Sequence, residues 1–331
     1  MKLAVVLFNL GGPDSPEAVQ PFLRNLFSDP AIITLPGIIR LPLARLIAKR
    51  RAPVAREIYG KIGGRSPIVE ETQKQARALE QMLSRDGVTA KAFIAMRYWH
   101  PFSDGAAQAV KAFNPDKIVL LPLYPQFSTT TTASSFKDWK RAAARAGLAE
   151  GAEICCYPDE AGFVRAAAAQ IRQTMAEARR DIGWRLLLSA HGLPKKIVEK
   201  GDPYQRQVEQ TAAAIVLELS MPELDAVVCY QSRVGPLEWI GPSTDTEIKR
   251  AGADGKGVIV APVAFVSEHS ETLVELDIEY RHLAEESGVP EYRRAATVGA
   301  DSDFIAGLAG LVRRAVAGET EICATPGACP H

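Results

Sequence analysis

The sequence predicts an α/β protein with two similar halves, each a four-stranded parallel sheet flanked by helices. Short apolar, β-branched runs recur along the chain, and the stretches between them carry apolar residues at helical spacing. Continuous apolar strands that alternate with helices are typical of parallel sheets covered on both faces. The candidate strands divide four and four around residue 150, so we expect domains over 1–150 and 151–302.

The individual elements follow from local patterns. Apolar residues at helical spacing predict helices near 68–83 and 163–178, and a final helix over 303–320 that packs back on the first domain. Short runs rich in Val, Ile and Leu predict the strands. These runs lie at 3–9, 91–96, 117–122, 153–157, 185–190, 226–230, 257–262 and 292–296.

Composition excludes several classes of protein. The 331 residues are 47% hydrophobic, and 39 basic side chains balance 39 acidic ones, whereas a nucleic-acid-binding protein needs a basic excess. No signal segment opens the chain, and no run of about 18 apolar residues could cross a bilayer. Five cysteines are too few for a disulfide framework in a chain of this size. We therefore expect a cytoplasmic protein that binds no nucleic acid.

The ends of the predicted strands are where a ligand is expected, because open α/β sheets bind ligands outside the carboxyl ends of their strands. The first of these ends, 9–13, resembles a dinucleotide loop but lacks the G-x-G-x-x-G spacing. Pro13 also removes one backbone donor that a phosphate would use. The sequence therefore predicts no nucleotide cofactor.

A histidine and an acidic segment are the strongest candidates for chemistry. His191 directly follows an apolar strand, where its near-neutral pKa suits proton exchange or ligation of a borderline metal. Ser267 is predicted to cap a helix on which Glu271, Glu275 and Glu279 stack at a spacing of four. Such a ladder could conduct protons or cations. It equally fits a solvated acidic face, and His191 a strand-end residue that caps backbone groups.

Residues 32–51 form an apolar and basic segment interrupted by prolines. The prolines and cations rule out a membrane span. The segment could line the rim of an apolar pocket or touch a membrane surface, and packing on the core fits its composition equally well.

Several blocks occur together in one order, and with them the chain closely resembles the ferrochelatase family from residue 3 to about 318. The resemblance implies two Rossmann-like domains with a porphyrin cleft between them. It also implies insertion of Fe²⁺, as substrate, into protoporphyrin IX, which yields haem and two protons. The blocks are Phe8-Asn9-Leu10-Gly11-Gly12-Pro13, Ala48-Lys49-Arg50-Arg51, Leu123-Tyr124-Pro125-Gln126-Phe127-Ser128, Ser189-Ala190-His191-Gly192-Leu193-Pro194, Gly201-Asp202-Pro203-Tyr204, Gln231-Ser232-Arg233-Val234-Gly235-Pro236 and Ser267-Glu268-His269-Ser270-Glu271-Thr272.

The resemblance also implies a role for individual residues. His191 matches the catalytic histidine and Glu271 its partner glutamate, both also candidate metal ligands, with His269 beside them. Glu275, Glu279 and Glu268 match a proton or metal path. We expect the imidazole of His191 and the carboxylate of Glu271 to face each other across a slot wide enough for a tetrapyrrole. The porphyrin-binding positions are Leu10, Arg50, Arg51, Tyr59, Ser66, Arg97, Tyr98, Tyr124, Trp239 and Phe265, of which Arg97 and Tyr98 match a pair linked to metal handling.

Some family members hold a [2Fe–2S] cluster, and this chain departs from their pattern. Thr129 stands where the animal pattern has a cysteine ligand, and the tail offers only Cys323 and Cys329. An animal-type cluster is therefore not expected, while a different ligand set drawing on Cys155 or Cys156 stays open.

Other readings also remain open. The chain could insert another metal, act on coproporphyrin, or bind haem or porphyrin without catalysis. A porphyrinogen or protoporphyrinogen oxidase is a candidate upstream partner. The inner face of the membrane is a candidate location, with peripheral contact through 32–51.

Overall fold

The structure is a computed structural model that describes residues 1–84, 87–233 and 237–319. Contacts within the chain divide it into two compact units. The first comprises Met1–Cys155 together with residues 308–319, and the second comprises Cys156–Gly307.

The first unit is built on a parallel sheet with the strand order β2-β1-β3-β4. Its core contains Val6 and Phe8 from the central strand, with Phe136 and Trp139 packing edge-on against the Phe8 ring. The strands are β1 (Lys2–Asn9), β2 (Thr89–Met96), β3 (Lys117–Pro122) and β4 (Ala152–Glu153). The helices are α1 (Val19–Phe27), α2 (Gly37–Gly60), α3 (Ile68–Ser84), α4 (Ser103–Phe113) and α5 (Thr132–Ala146).

The second unit repeats this arrangement with the strand order β6-β5-β7-β8, again all parallel. Its central strand alternates between two cores, because Leu186 and Leu188 pack on one face and Leu187 on the other. The strands are β5 (Trp184–His191), β6 (Asp225–Gln231), β7 (Gly257–Pro262) and β8 (Tyr292–Arg294). The helices are α6 (Ala161–Ala176), α7 (Lys195–Glu199), α8 (Tyr204–Leu219), α9 (Thr244–Ala253), a π-helix (Glu271–Glu279) and α10 (Tyr280–Glu286). The last described helix, α11 (Ser302–Ala317), begins in this unit, and its residues from 308 onward belong to the first unit.

The predicted fold class, two four-stranded parallel sheets flanked by helices, is confirmed. The strand expected at 153–157 is shorter than predicted, because only Ala152 and Glu153 pair with β3. Ile154 still donates its N–H to the Leu120 carbonyl at 2.9 Å, but Cys156 and Tyr157 are fully buried beyond the strand, so their apolar character reports burial rather than sheet pairing. Within the described ranges, no helix is both long and apolar enough to cross a bilayer.

The predicted helix start at Ser267 is wrong. Ser267 is buried upstream of the helix, and the backbone N–H of His269 donates to the Thr272 hydroxyl at 3.0 Å. The turns that follow form a π-helix from Glu271 to Glu279, with no side-chain cap at Ser270. Such wide turns are rare and occur frequently at functional sites.

Candidate active site

His191 is the last residue of β5, at the carboxyl edge of the second sheet. It pairs in register with Gln231, the last residue of β6. A Cβ on Gly192 would lie 2.9 Å from the Gln231 carbonyl oxygen and 3.1 Å from Cε3 of Trp239, so only glycine fits directly after the histidine. The hydroxyl of Tyr204 donates to the main-chain carbonyl of His191 at 3.1 Å. The backbone of His191 is therefore fixed by the hydrogen bond from Tyr204 and by the close packing of Gly192.

Glu271, at the start of the π-helix, is the direct partner of His191. Its Oε2 lies 3.0 Å from Nδ1 of the imidazole. The expectation that a tetrapyrrole-wide slot separates the two side chains is wrong, because they are in hydrogen-bond contact. The imidazole keeps 40% of its side-chain surface and the carboxylate 27%, so the pair remains accessible from outside.

The charges of this pair set the roles of the two imidazole nitrogens. Burial alone would raise the pKa of Glu271, but the charge and hydrogen bond of His191 outweigh it and hold that pKa well below its ordinary value. Glu271 is therefore ionised and accepts, so Nδ1 of His191 donates. In the neutral imidazole Nε2 then carries the free lone pair. Burial alone would lower the pKa of His191, yet the Glu271 carboxylate raises it above the usual value.

His269 lies on the other side of Glu271. Its Nε2 is 3.8 Å from the same Oε2, and its Nδ1 donates to the Ser267 carbonyl at 3.1 Å. The ring of Phe265 packs against its imidazole with the centroids 4.5 Å apart. Glu271 thus lies between two histidines, and the catalytic roles of these three residues remain predictions.

Glu275, the next carboxylate of the π-helix, is held by side chains from two elements. The Ser232 hydroxyl donates to its Oε2 at 2.5 Å and the Ser232 N–H to its Oε1 at 2.8 Å. Gln231 Nε2 and the Tyr280 hydroxyl donate at 3.2 and 3.1 Å. Burial and the charge of Glu271 raise the pKa of Glu275 above the ordinary value. Neighbouring carboxyls with opposite shifts are suited to acid and base roles at one pH.

The two remaining acidic positions differ from each other. Glu279 is exposed at the end of the π-helix, so the ladder runs from half-buried residues to bulk water. Glu268 forms an ion pair with Arg294 at 2.9 Å and accepts from Thr272 at 2.5 Å. Burial alone would raise the pKa of Glu268, but Arg294 outweighs it and lowers that pKa. A carboxylate held in this way stays ionised near neutral pH, and its place in a proton path remains a prediction.

In the first unit, Arg97 and Tyr98 directly follow β2. The Arg97 guanidinium forms an ion pair with Asp29 at 2.7 Å, and the Tyr98 hydroxyl donates to the same carboxylate at 2.9 Å. Tyr98 is fully buried, and burial together with the charge of Asp29 raises its pKa well above the ordinary value. The phenol is therefore a neutral donor. Direct metal ligation would require it to release its proton and leave Asp29.

The other porphyrin-binding candidates vary in exposure. Ser66 and Tyr59 are buried, and a Cβ on Gly12 would lie 2.5 Å from Cβ of Ser66, so that serine packs closely against the 9–13 loop. Burial raises the pKa of Tyr124. Their role in ring binding remains a prediction. Leu10, Trp239 and Phe265 are half-buried, whereas Arg50 and Arg51 are exposed on α2.

The cysteines that the structure describes include two that are buried as thiols. Cys156 accepts a hydrogen bond from Gln207 Nε2 at 3.4 Å, and burial raises the pKa of Cys229 to about 12. Over 1–84, 87–233 and 237–319, no group of three His, Cys, Asp or Glu residues is arranged to hold a metal ion. Cys323 and Cys329 lie outside the described residues, as do 234–236 of the Gln231–Pro236 block and residue 320 of the final helix.

Sequence reasoning missed four residues that hold the candidate catalytic side chains. Ser232 and Tyr204 stand within the quoted blocks, so their proximity to His191 could have been inferred. Tyr280 fits the packed face of a helix equally well, and Asp29 belongs to no motif.

Comparisons with known proteins show the family to which the chain belongs. The sequence profile of the ferrochelatase family matches residues 2–316. A ferrochelatase of Caulobacter vibrioides is 58% identical over 317 residues, covering 95% of this chain and 90% of that protein. One of Phenylobacterium zucineum is 59% identical over 312 residues, covering 93% and 90%.

Among solved structures, SirB from Bacillus subtilis with Fe³⁺ is similar with a TM-score of 0.55 and 12% identity, covering 98% of this chain and all (100%) of that one. At that identity the likeness shows the fold alone. The profile match and the two bacterial relatives span nearly the whole chain, and this chain therefore belongs to the ferrochelatase family.

Proposed function

We propose that this chain inserts ferrous iron into protoporphyrin IX, forming haem and releasing two protons. The observation that carries the proposal is the hydrogen bond between His191 and Glu271 at 3.0 Å, next to a second carboxyl, Glu275, whose pKa is shifted the opposite way. Family membership supports the same reaction.

The chemistry requires a base. Two pyrrole N–H bonds break as the iron binds all four ring nitrogens, so both protons must leave the ring. Neutral His191 offers the Nε2 lone pair, because Glu271 holds the Nδ1 proton. When Nε2 takes a proton, the imidazolium is stabilised by the adjacent carboxylate. Because His191 and Glu271 are in contact, we expect both groups to act from one side of the macrocycle.

The proton then needs a route to water. Glu275 is the next acceptor along the π-helix, and its raised pKa lets it hold a proton transiently. Glu279 is exposed, so a proton that reaches it exchanges with solvent. The carboxyls at 271, 275 and 279 thus form a path that leads from half-buried groups beside His191 to an exposed group in solvent.

The macrocycle itself would contact the apolar and aromatic candidates carried over from the family, with Arg50 and Arg51 meeting the propionates. Exposed guanidinium groups suit carboxylates because they donate in a bidentate geometry. Since protoporphyrin and coproporphyrin both carry propionates, these arginines do not by themselves select between the two.

We also propose that the 32–51 segment contacts a membrane surface. Ile38 and Ile39 are 86% and 53% exposed beside the basic residues of α2. Cosedimentation with anionic lipid vesicles tests this, and we expect Ile38→Ser to weaken binding without changing turnover. Equal cosedimentation of the wild type and the variant would contradict it.

The deciding experiment is an anaerobic assay of purified protein with Fe²⁺ and either protoporphyrin IX or coproporphyrin III, following product absorbance. Faster turnover of protoporphyrin supports the proposal, and faster turnover of coproporphyrin would assign the earlier tetrapyrrole. Parallel reactions with Co²⁺ and Zn²⁺ test metal choice. Tight porphyrin binding without turnover of any metal would indicate a non-catalytic binding protein.

A further inference from the structure

A single buried carboxylate holds both side chains that follow β2. Asp29 lies just after α1, and its side chain is only 2% exposed. Its Oδ2 accepts hydrogen bonds from the hydroxyls of Tyr98 at 2.9 Å and Ser134 at 2.5 Å. The same oxygen lies 2.7 Å from Nη2 of Arg97, while Oδ1 accepts from the N–H of Ala31 at 2.8 Å. Both carboxylate oxygens are therefore occupied by donors.

The Arg97 guanidinium is fixed from several directions. Its Nε donates to the Ser134 hydroxyl at 2.7 Å, which in turn donates to Asp29. The guanidinium carbon lies 5.1 Å from the centroid of the Tyr98 ring. A second carboxylate, Asp138, lies 3.9 Å from Nη1, beyond hydrogen-bond distance. Only 18% of the Arg97 side chain is exposed, so Asp29 and Ser134 set its orientation.

We propose that Asp29 is a positioning residue for metal insertion, which acts by fixing Arg97 and Tyr98 at the carboxyl edge of the first sheet. The inference deepens the proposed function and rests on it. Arg97 stands at the edge where this fold class binds ligands, because its N–H donates to the carbonyl of Asn9, the last residue of β1. Asp29 lies behind Arg97 and Tyr98 and is almost wholly buried, so it acts through these two side chains.

Physical chemistry explains why a carboxylate serves here. A buried charge is tolerated only when it is paired and hydrogen-bonded, so Asp29 and Arg97 constrain each other to one geometry. Replacing the carboxylate by an amide of similar size removes the charge and leaves one acceptor for several donors. Arg97 can then rotate away, and small displacements of a site residue lower rates by up to about 100-fold.

The test is a double-mutant cycle of Asp29→Asn and Arg97→Met, with kcat and KM measured for Fe²⁺ and protoporphyrin and stability measured by urea unfolding. We expect each single variant to lose about 10- to 100-fold in kcat/KM. The double variant should lose less than the product of the two single losses, because the part of the Asp29 effect that acts through Arg97 is already gone and only the part through Tyr98 remains. A purely structural role would instead lower stability and leave the two effects on rate multiplicative.

Matched variants keep the test decisive. Asp138→Asn makes the same chemical change on the more distant carboxylate and should stay within about twofold of the wild type. If Asp29→Asn does not fold, Ser134→Ala removes the hydroxyl that links Asp29 to Arg97, and we expect a loss of about three- to tenfold that disappears in the Arg97→Met background.

The outcomes separate this inference from the proposed function. A wild-type protein that inserts no metal contradicts the proposed function. An active wild type with Asp29→Asn or Arg97→Met at the normal rate, or with multiplicative effects in the double variant, overturns the role of Asp29 and leaves the proposed function intact.

Discussion

Replacing Glu271 by glutamine should slow metal insertion because it removes the charge that stabilises protonated His191. The amide is nearly the same size as the carboxylate, so the volume between the π-helix and β5 is preserved. Nδ1 of His191 keeps a neighbour 3.0 Å away that can still accept a hydrogen bond. The change therefore isolates the charge from the shape of the site.

The distance between the His191 and Glu271 charges determines how large the loss in rate should be. At 3.0 Å two unit charges attract by about 1.4 kcal/mol in bulk water and about 5.5 kcal/mol at an effective dielectric constant of 20. The His191 imidazole keeps 40% of its surface, so solvent screening favours the lower part of this range. A loss of about 1.4 kcal/mol in the transition state corresponds to about a tenfold lower rate. We expect at least that loss in kcat for Glu271→Gln.

The direction of the His191 titration is a second readout. Without the Glu271 charge, burial is the dominant influence, so the pKa of His191 should fall and its NMR titration should move to lower pH. The stability that this raised pKa contributes is present below the ordinary pKa of histidine and is lost as pH rises through the folded-state value. Glu271→Gln should remove that contribution.

The matched control is Glu285→Gln, which breaks another His–Glu pair, at 3.9 Å to His282, with side chains 65% and 75% exposed. That pair lies on the surface, so kcat should not change. A Glu271→Gln enzyme with wild-type kcat and an unmoved His191 titration would refute the assignment of this pair to catalysis.

The other predictions concern His191 as the base, Glu275 in the proton path, and the ion pair between Glu268 and Arg294. His191→Ala should lower kcat by at least about 100-fold while porphyrin affinity, measured by fluorescence quenching, stays within about twofold. Ser232→Ala removes a donor to Glu275, so the pKa of Glu275 should rise further and the acidic limb of the kcat profile should move to higher pH, with a loss of up to about tenfold at neutral pH. Arg294→Met should cost about 3 kcal/mol of unfolding free energy at pH 7 because it leaves Glu268 unpaired and largely buried. Since Arg294 lowers the pKa of Glu268, that cost should begin to shrink as pH falls below the ordinary glutamate pKa of about 4.3, and it should be lost once pH falls through the lower folded-state pKa.

Each of these has its own counter-result. Normal turnover by His191→Ala would assign the base elsewhere, and an unchanged pH profile for Ser232→Ala would remove Glu275 from the proton path. Arg179→Met, which breaks an exposed ion pair with Asp181, should lower the unfolding free energy far less than Arg294→Met does. If Arg294→Met lowered the unfolding free energy no more than this control, the ion pair between Arg294 and Glu268 would contribute little to stability.

Much of the fold could be predicted because buried parallel strands are continuous apolar runs. Leu186, Leu187 and Leu188 are all buried, although they face alternate sides of the sheet. The same signal failed at 153–157, because apolar residues there are buried without pairing along a strand. The π-helix could not be predicted, since a carboxylate every four residues fits an ordinary helix equally well.

The candidate site was predictable only as far as local sequence reaches. The strand ends and the order of the motifs predict that His191 and Glu271 lie in one region. They contain no information on the distance between the two side chains, so they do not distinguish a contact of 3.0 Å from a wide slot. No sequence motif marks Asp29, because its role depends on hydrogen bonds from Tyr98 and Ser134, which lie 69 and 105 positions further along the chain. Such long-range hydrogen bonds become visible only in three dimensions.

The matching strand orders of the two sheets have an evolutionary consequence. His191 and its neighbours are anchored in the hydrophobic core of one unit, whereas Arg97 and Asp29 are anchored in the core of the other. A substitution that loosens one core acts first on the polar group that this core anchors. Mutations in one half therefore adjust the proton-accepting group, and mutations in the other half adjust the arginine group.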